Sequence, residues 1–395
     1  MSRRVVLVTH SPSGGVLTVT NFIAQVLRRA EYDFDIVLLA TSFHDNASVR
    51  LLSPATWIHG PRVKDECVHG VSVRHVGAFL TEFEFQRYRP RRVLTDLLNQ
   101  YDLVQVVAGT PAWVAVAGDV RPPVCLFAAT TIAQDRMSRL RQTTSWREVW
   151  LRWMTRLNTS VERRALKWVD CVLAESDYTR RLLASYLPLE RLWLGPPGVD
   201  TNFFTPNTTY CADGYIIAVG RLSDPRKNTR LLLDAYAQIR QALPHAPKLV
   251  LAGRNGLSES DRDFAAVLGL TEHIETYLNV TDEQLRALYQ QAAIFVLSSD
   301  EEGLGIVILE AMACGLPVVC TDCGGPATAI TPGKTGLLSP VGDAGALATA
   351  MLSLLEQPVL RRQMGQAGRR RVEERFSIET AGQVYLDVYE RLLMC

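Results

Sequence analysis

Apolar residues in this chain come in short runs of four to six, separated by longer stretches in which they return every three or four positions. The first pattern suits a buried strand and the second a helix with one face on a core. Strands are predicted at 5–8, 35–39, 71–76, 103–107, 124–127 and 171–174, and again at 215–219, 248–251, 294–297 and 318–320. Between them, helical spacing covers 16–29, the neighbourhood of 113–116, 230–242, 281–292 and 345–356. Beyond 360 the pattern is helical, ending in a segment at 378–393. Thr281-Asp-Glu-Gln284 has the capping-box pattern that starts a helix. Strand and helix alternate twice over, which predicts two parallel sheets with helices on both faces.

The two series meet at Leu194-Gly-Pro-Pro-Gly-Val-Asp-Thr-Asn-Phe-Phe-Thr-Pro206, where paired prolines and two glycines stop any regular element. Domains are therefore expected at 1–198 and 199–376, with 377–395 crossing back to the first. Two doubly wound sheets on a short hinge leave a cleft at the carboxyl ends of their strands, where such sheets bind ligands.

The first motif with chemistry in it is Ser298-Ser-Asp-Glu-Glu-Gly-Leu-Gly-Ile-Val-Ile-Leu-Glu310. Cap-type residues 298–300 follow a strand, and Ile306, Ile308, Leu309 and Met312 recur at helical spacing, so Glu302 is expected at the mouth of a helix. The free N–H groups of such a helix start favour an anion such as a diphosphate. Gly303 and Gly305 remove Cβ atoms where a ligand would approach the backbone. Glu310, eight positions on, is predicted roughly 12 Å further along and within about 80° of the same face. Two carboxylates flanking a phosphate seat can accept hydrogen bonds from hydroxyls on either side of it. Gly220-Arg-Leu-Ser-Asp-Pro-Arg-Lys-Asn228 adds Arg221, Arg226 and Lys227 after a strand, with Asn228 as the next helix cap. Arginine can grip two phosphate oxygens, and lysine acts as a point charge. A turn at Ser13-Gly14-Gly15-Val16 brings open backbone to another helix start.

Composition narrows the rest. A chain of 395 residues, 47% apolar and 21% charged, is an ordinary soluble composition with room for two cores. Net charge of +1 excludes a chain-wide polyanion binder, and no nucleic-acid partner is expected. The apolar run after Met1-Ser-Arg-Arg is too short for a signal peptide and reads as a first strand. No stretch of about 18 apolar residues occurs. Eight cysteines are too dilute for a disulfide scaffold and point to a reduced, cytoplasmic setting. Cys320-Thr-Asp-Cys323 matches C-x-x-C without a second pair, and the seven histidines have no ligand spacing. No metal is predicted.

Two basic stretches stay open. Residues 136–168 hold nine Lys/Arg against Glu148 and Glu162, a balance of +7, with Trp146, Trp150, Trp153, Leu157 and Val161 on one helical stripe. This is either a surface for an anionic membrane, giving a peripheral attachment, or a stripe packed on the first sheet with solvated charges. Gln86-Arg-Tyr-Arg-Pro-Arg-Arg92 is a second cluster, fit for an anionic acceptor or for solvation alone.

Glu302-Gly-Leu-Gly-Ile-Val-Ile-Leu-Glu310, followed by Ala-Met-Ala-Cys-Gly-Leu-Pro-Val-Val, resembles the E-x7-E signature of glycosyltransferase family 4, retaining enzymes of the GT-B fold. Gly220-Arg221 with Lys227, Pro197-Gly-Val-Asp200 and Gly14-Gly15 fall where that family has them. The resemblance is specific over 215–340 and looser before residue 200. It implies an α/β fold of two Rossmann-like domains facing across a cleft. It also implies transfer of a hexose-type sugar from a nucleotide-diphosphate sugar to an acceptor hydroxyl, with no metal or other cofactor. Arg221 and Lys227 would hold the leaving diphosphate, Glu302 the sugar hydroxyls and Glu310 the ribose. The backbone of Gly303, Leu304, Gly305, Ile306 and Val307 would meet sugar and phosphates, Gly253 and Val280 would lie near the base, and Gly14, Gly15, Thr130 and Gly220 would complete the substrate contacts. Relatives carry a histidine after the strand at 124–127, where this chain has Ala128-Ala-Thr-Thr131. That departure keeps a second reading alive, a nucleotide-sugar binding protein without turnover. A third, a nicotinamide-dependent oxidoreductase, would use Gly303-Leu-Gly305 and Asp322 but has Ile308 where its third glycine belongs.

Overall fold

The computed structural model describes residues 3–42, 44–68, 70–137, 146–207 and 213–394. They form two compact units, Met1–Pro197 with Ala381–Cys395, and Gly198–Thr380.

The first unit is built on eight strands: β1 (Arg4–Thr9), β2 (Asp33–Leu39), β3 (Val63–Val68), β4 (Val71–Val76), β5 (Leu103–Ala108), β6 (Val124–Ala128), β7 (Cys171–Ala174) and β8 (Leu192–Leu194). Their order is β3-β4-β2-β1-β5-β6-β7-β8. Every neighbouring pair is parallel except β3 with β4. Central strands covered on both faces need apolar residues at every position, and β5, β6 and β7 are buried throughout. The antiparallel edge strand β3, Val-Lys-Asp-Glu-Cys-Val, is almost wholly exposed. Charges suit an edge, where they discourage pairing with another chain, and they also hide the strand from a search for apolar runs.

Six strands form the second sheet: β9 (Tyr215–Val219), β10 (Leu249–Gly253), β11 (Ile274–Leu278), β12 (Ala292–Leu297), β13 (Val318–Thr321) and β14 (Gly336–Ser339). All pairs are parallel, in the order β11-β10-β9-β12-β13-β14. Alternate residues of each strand face opposite cores. Ile217, Phe295 and Val318 meet Ile308, Leu309 and Met312 on one side. Ile216, Ile294 and Val319 meet Leu232, Tyr236 and Met351 on the other. The sheet is thus doubly wound.

The helix Ile378–Met394 joins the first unit from Ala381 onward. There the Tyr385 hydroxyl donates to the Gly195 carbonyl at 2.7 Å and the Tyr389 hydroxyl to Gln105 Oε1 at 2.8 Å. No helix among the described residues is long and apolar enough to cross a membrane.

The helix Trp146–Trp168 corrects the expected stripe. Its buried face runs through Met154, Asn158, Glu162, Ala165 and Leu166, because Glu162 is drawn in to accept the Ile132 amide at 3.0 Å. Trp150 and Trp153 stay about half exposed, Leu157 and Val161 are intermediate, and only Val161 of this group packs on the first core. Residues 138–145 and the Trp146 side chain lie outside the described part.

Candidate functional site

The carboxyl ends of β9 and β12 are neighbours, and the loops leaving them carry the charged residues. After β9 the chain passes Gly220 to a short turn, Pro225–Lys227, capped by Asp224, whose side chain accepts the Arg226 amide at 3.1 Å. Asp224 also pairs with Arg226 at 2.9 Å and with Arg221 at 3.1 Å. Burial opposes its ionisation, but the hydrogen bonds and charge of Arg226, with the Arg221 charge, hold the carboxyl at about 2. Arg226 is thereby tied into the turn, whereas Arg221 leaves 55% of its side chain exposed.

Lys227 bends back against Gly220. A Cβ at Gly220 would sit 3.4 Å from its Cε, so the glycine gives the lysine stem its path. Its ammonium pairs with Glu302 Oε1, both side chains being mostly buried, and Ser299 Oγ donates to the same oxygen at 2.8 Å. Asn228 follows in the left-handed conformation, φ 43°, caps the helix Thr229–Ala242 by accepting the Leu231 amide at 3.2 Å, and donates to Asp300 Oδ1 at 2.7 Å. The two loops are therefore stitched together by Lys227 to Glu302 and Asn228 to Asp300.

The predicted helix start is corrected. The helix is Ile306–Ala313 with Gly305 as its cap, so residues 298–304 are loop and the helical distance and angle from Glu302 to Glu310 do not apply. Two forces hold the loop open. Glu302 bridges Gly324, with its carbonyl accepting the Gly325 amide at 3.1 Å, and a Cβ at Gly325 would overlap the Gly303 carbonyl. Leu304 is fully buried and Gly305 turns at φ 82°, a backbone state that most residues avoid. Glu302 thus stands before the helix, while Ile306 and Val307 form its first turn, half-buried, with the unpaired N–H groups of a helix start.

Glu310 lies one turn into that helix and accepts the Tyr289 hydroxyl at 2.9 Å. Burial raises its carboxyl to about 7, the Tyr289 hydrogen bond pulling down and the Asp282 charge pushing up. Tyr289 had no signal in the sequence, since it sits 21 residues away in the helix Asp282–Gln291. Gly253 ends β10, and a Cβ there would overlap the Gly220 carbonyl, so its lack of a side chain lets the β9 loop close in. Val280 precedes the capping box of Thr281 and Gln284, after Asn279 at φ 52°.

In the first unit Gly14 has φ 71°, and both it and Gly15 have open space where a Cβ would be, at the start of the helix Gly14–Arg29. Thr130 is buried, its amide donating to the Gly109 carbonyl at 2.9 Å. Sequence reading passed over His10, which follows β1 and stacks on Trp113 with ring centroids 4.4 Å apart. Burial lowers its imidazole to about 4, against a hydrogen bond to the Val107 backbone, so the ring is neutral at physiological pH. A histidine between a strand and a Gly-Gly turn was the available signal.

Cys320 and Cys323 are free and buried, and burial pushes their thiols up, that of Cys323 to about 12. Among the described residues no group of three or more His, Cys, Asp or Glu could hold a metal ion.

Residues 13–203 match the model described as Glycosyltransferase Family 4, and residues 201–371 the model described as Glycosyl transferases group 1. The chain belongs to glycosyltransferase family 4. Its two doubly wound sheets are the GT-B fold. Sucrose-phosphate synthase from Thermosynechococcus elongatus superposes with a TM-score of 0.77 at 22% identity, over 99% of each chain. Anabaena HepE, solved in complex with UDP, gives 0.72 at 18% identity, over 98% of this family 4 chain and all of its own. In sequence, the GDP-mannose-dependent alpha-(1-6)-phosphatidylinositol monomannoside mannosyltransferase of Mycolicibacterium smegmatis is 33% identical over 244 residues, 56% of this chain. That alignment spans 63% of the relative's length.

Proposed function

We propose that this chain is a retaining hexosyltransferase that moves a sugar from a nucleotide-diphosphate sugar to an acceptor hydroxyl in glycan or glycolipid synthesis. The observation that carries the reading is the Lys227–Glu302 pair, with exposed Arg221 on the same β9 loop as Lys227 and the glycine-opened helix Ile306–Ala313 starting just after Glu302. Cations, free amides and a carboxylate at the carboxyl end of one sheet match a sugar diphosphate group by group. Arg221 and Lys227 take the diphosphate and stabilise its charge as it leaves, which is the main electrostatic contribution to the rate. Glu302, once Lys227 turns to phosphate, accepts sugar hydroxyls; Glu310 accepts the ribose. Gly220, Gly303, Leu304, Gly305, Ile306 and Val307 line the diphosphate, with Gly253 and Val280 towards the base. On the first unit, Gly14, Gly15 and Thr130 are the proposed substrate contacts. The sugar carbon passes through an oxocarbenium-like state, and the departing phosphate takes the acceptor proton on the same face. No metal is required in this scheme. The GDP-mannose dependence of one relative and the UDP bound to HepE make GDP and UDP sugars the first donors to test.

Thermal shifts with UDP-glucose, GDP-mannose and NAD choose the ligand class, and release of nucleoside diphosphate then measures turnover. Lys227→Ala is expected to keep its fold and lose at least about 100-fold in turnover. Tight nucleotide-sugar binding with no turnover on any common acceptor would replace the transferase with a binding protein, as Thr130 in place of the family histidine allows. A shift with NAD alone would reverse the assignment.

Membrane contact through Trp146–Trp168 is part of the same proposal. Val149, Trp150 and Trp153 are exposed by 71%, 52% and 49%, beside the exposed Arg152 and Arg156. Aromatic anchors next to arginines suit an anionic bilayer surface. Wild type is expected to sediment with anionic vesicles and Trp150→Glu to stay in solution; wild type remaining in solution would end the idea.

A further inference from the structure

The basic cluster at 86–92 does not behave as a solvated face throughout. Arg92 is 96% exposed and pairs with Asp96, and Arg89 is exposed. Arg91 is 4% exposed, yet its Nε and Nη2 have no hydrogen-bond partner, and its one bond is a long 3.4 Å contact from Nη1 to the Arg87 carbonyl. Burial lowers its guanidinium to about 10, which leaves it charged at neutral pH. A buried guanidinium has five donors and no way to lose its charge, so it calls for an oxyanion.

Among the described residues no carboxylate bonds to it. Asp45, whose charge acts on it, is engaged by His75 at 2.7 Å and the Ala47 amide at 2.7 Å. Glu82 accepts the Leu51 amide at 2.9 Å, and Glu84 is held by Tyr88 and Arg136. Two more buried donors without partners lie on segments hydrogen-bonded to this one. Arg87 Nε donates to the Thr81 carbonyl at 2.9 Å, which ties Arg91 through Arg87 to Thr81, and the Thr81 hydroxyl is fully buried without a partner. Arg50, whose chain neighbours Val49 and Leu51 bond to Ala78 and Glu82, keeps a buried Nε unpaired as well. This segment lies beyond the carboxyl ends of β2 and β4, the side of the sheet on which ligands bind.

We infer that Arg91, with Arg50 and the Thr81 hydroxyl, forms a seat for an oxyanion group, phosphate or carboxylate, carried by the acceptor. The assignment rests on the transferase reading only for the word acceptor; the anion seat stands on the first unit alone. It selects acceptors with a charged group near the hydroxyl to be glycosylated. Arg91 would then be a specificity residue and take no part in bond making.

The probe is inorganic phosphate, with acetate as the carboxylate arm, in thermal shift on the full chain saturated with UDP or GDP so that the donor diphosphate seat is filled. Wild type and the exposed control Arg92→Gln should show a saturable stabilisation by one of the two anions. Arg91→Gln should lose it, and Thr81→Val should weaken its apparent affinity at least about threefold. Should Arg91→Gln fail to fold, Arg91→Lys replaces it, since a point charge without the fork should also weaken binding by at least that factor. A response to both anions that Arg91 variants leave unchanged, or no response in wild type, would overturn the inference. If neither nucleotide binds, the donor reading fails by itself, and the anion titration still reports on Arg91.

Discussion

Glu162 shows how little a charge pattern says about where a carboxylate ends up. In sequence it is one of two acids in a basic helix; in the fold it is 1% exposed and serves the Ile132 amide. Burial raises its carboxyl to about 7, opposed by that hydrogen bond and by the charges of Arg163 and Arg136. A carboxyl whose folded value is raised binds its proton more tightly in the fold. Its stabilising term is therefore complete below the unfolded value near 4.5 and lost as pH rises through about 7. Glu162→Gln keeps an oxygen for Ile132 and removes the charge. Urea titrations should find the variant close to wild type near pH 4.5 and more stable by on the order of 3 kcal/mol at pH 8. Parallel stability curves for the two proteins would show that the carboxylate is solvated well enough to ionise freely. The same contrast runs through the candidate site. Lys227 and Glu302 were legible because each follows a strand end, where such sheets gather ligand groups. Tyr289, Asp224 and Asp300 were not, because their roles are fixed by partners that only folding brings near.

Elements were legible in proportion to their burial. The strands at 171–174 and 215–219 were read to the residue, since strands covered on both faces need unbroken apolar runs, and the strand at 71–76 was read on its valines although only Val73 and Val76 of it are buried. The missed strands, β3, β8, β11 and β14, all lie at or next to a sheet edge or span only three or four residues. The helix at 306 was placed too early because Ser299 and Asp300 read as caps. They are spent elsewhere, on Glu302 and Asn228. The glycines divide in a similar way. Gly14 faces open space and Gly253 faces the Gly220 carbonyl. Gly14→Ala meets only the left-handed backbone and should cost about 1 kcal/mol. Gly253→Ala must push back the loop that positions Arg221 and Lys227, so a loss of roughly 2–4 kcal/mol is expected, with weaker nucleotide binding. Chemical denaturation alongside nucleotide titration separates them; equal costs at the two sites would mean that the β9 loop yields freely.

For the molecule as a whole, the first unit is completed by the last residues of the chain. Ala381, Tyr385, Val388 and Tyr389 are buried, Tyr385 lies edge-on to Phe22 at 5.3 Å, and a Cβ at Gly382 would crowd Val26. The unit therefore cannot be finished until a segment some 180 positions beyond β8 has docked, which makes its closure a long-range event that no local pattern announces. The sequence predicts that the last helix crosses back to the first domain, because it is long and follows the second series, but a helix stripe does not name its seat. What fixes the seat is the fit of Tyr385 to the Gly195 carbonyl and of Tyr389 to Gln105. Tyr385→Ala removes a fully buried ring and leaves that carbonyl without its donor, a loss of about 3–5 kcal/mol concentrated in the first unit. Native-state hydrogen exchange should then show faster opening across β1, β5 and β6, with β9, β10 and β12 unchanged. Uniform acceleration in both sheets would mean that the two units unfold as one, and no change in either would mean that the helix rests on the first unit without holding it together.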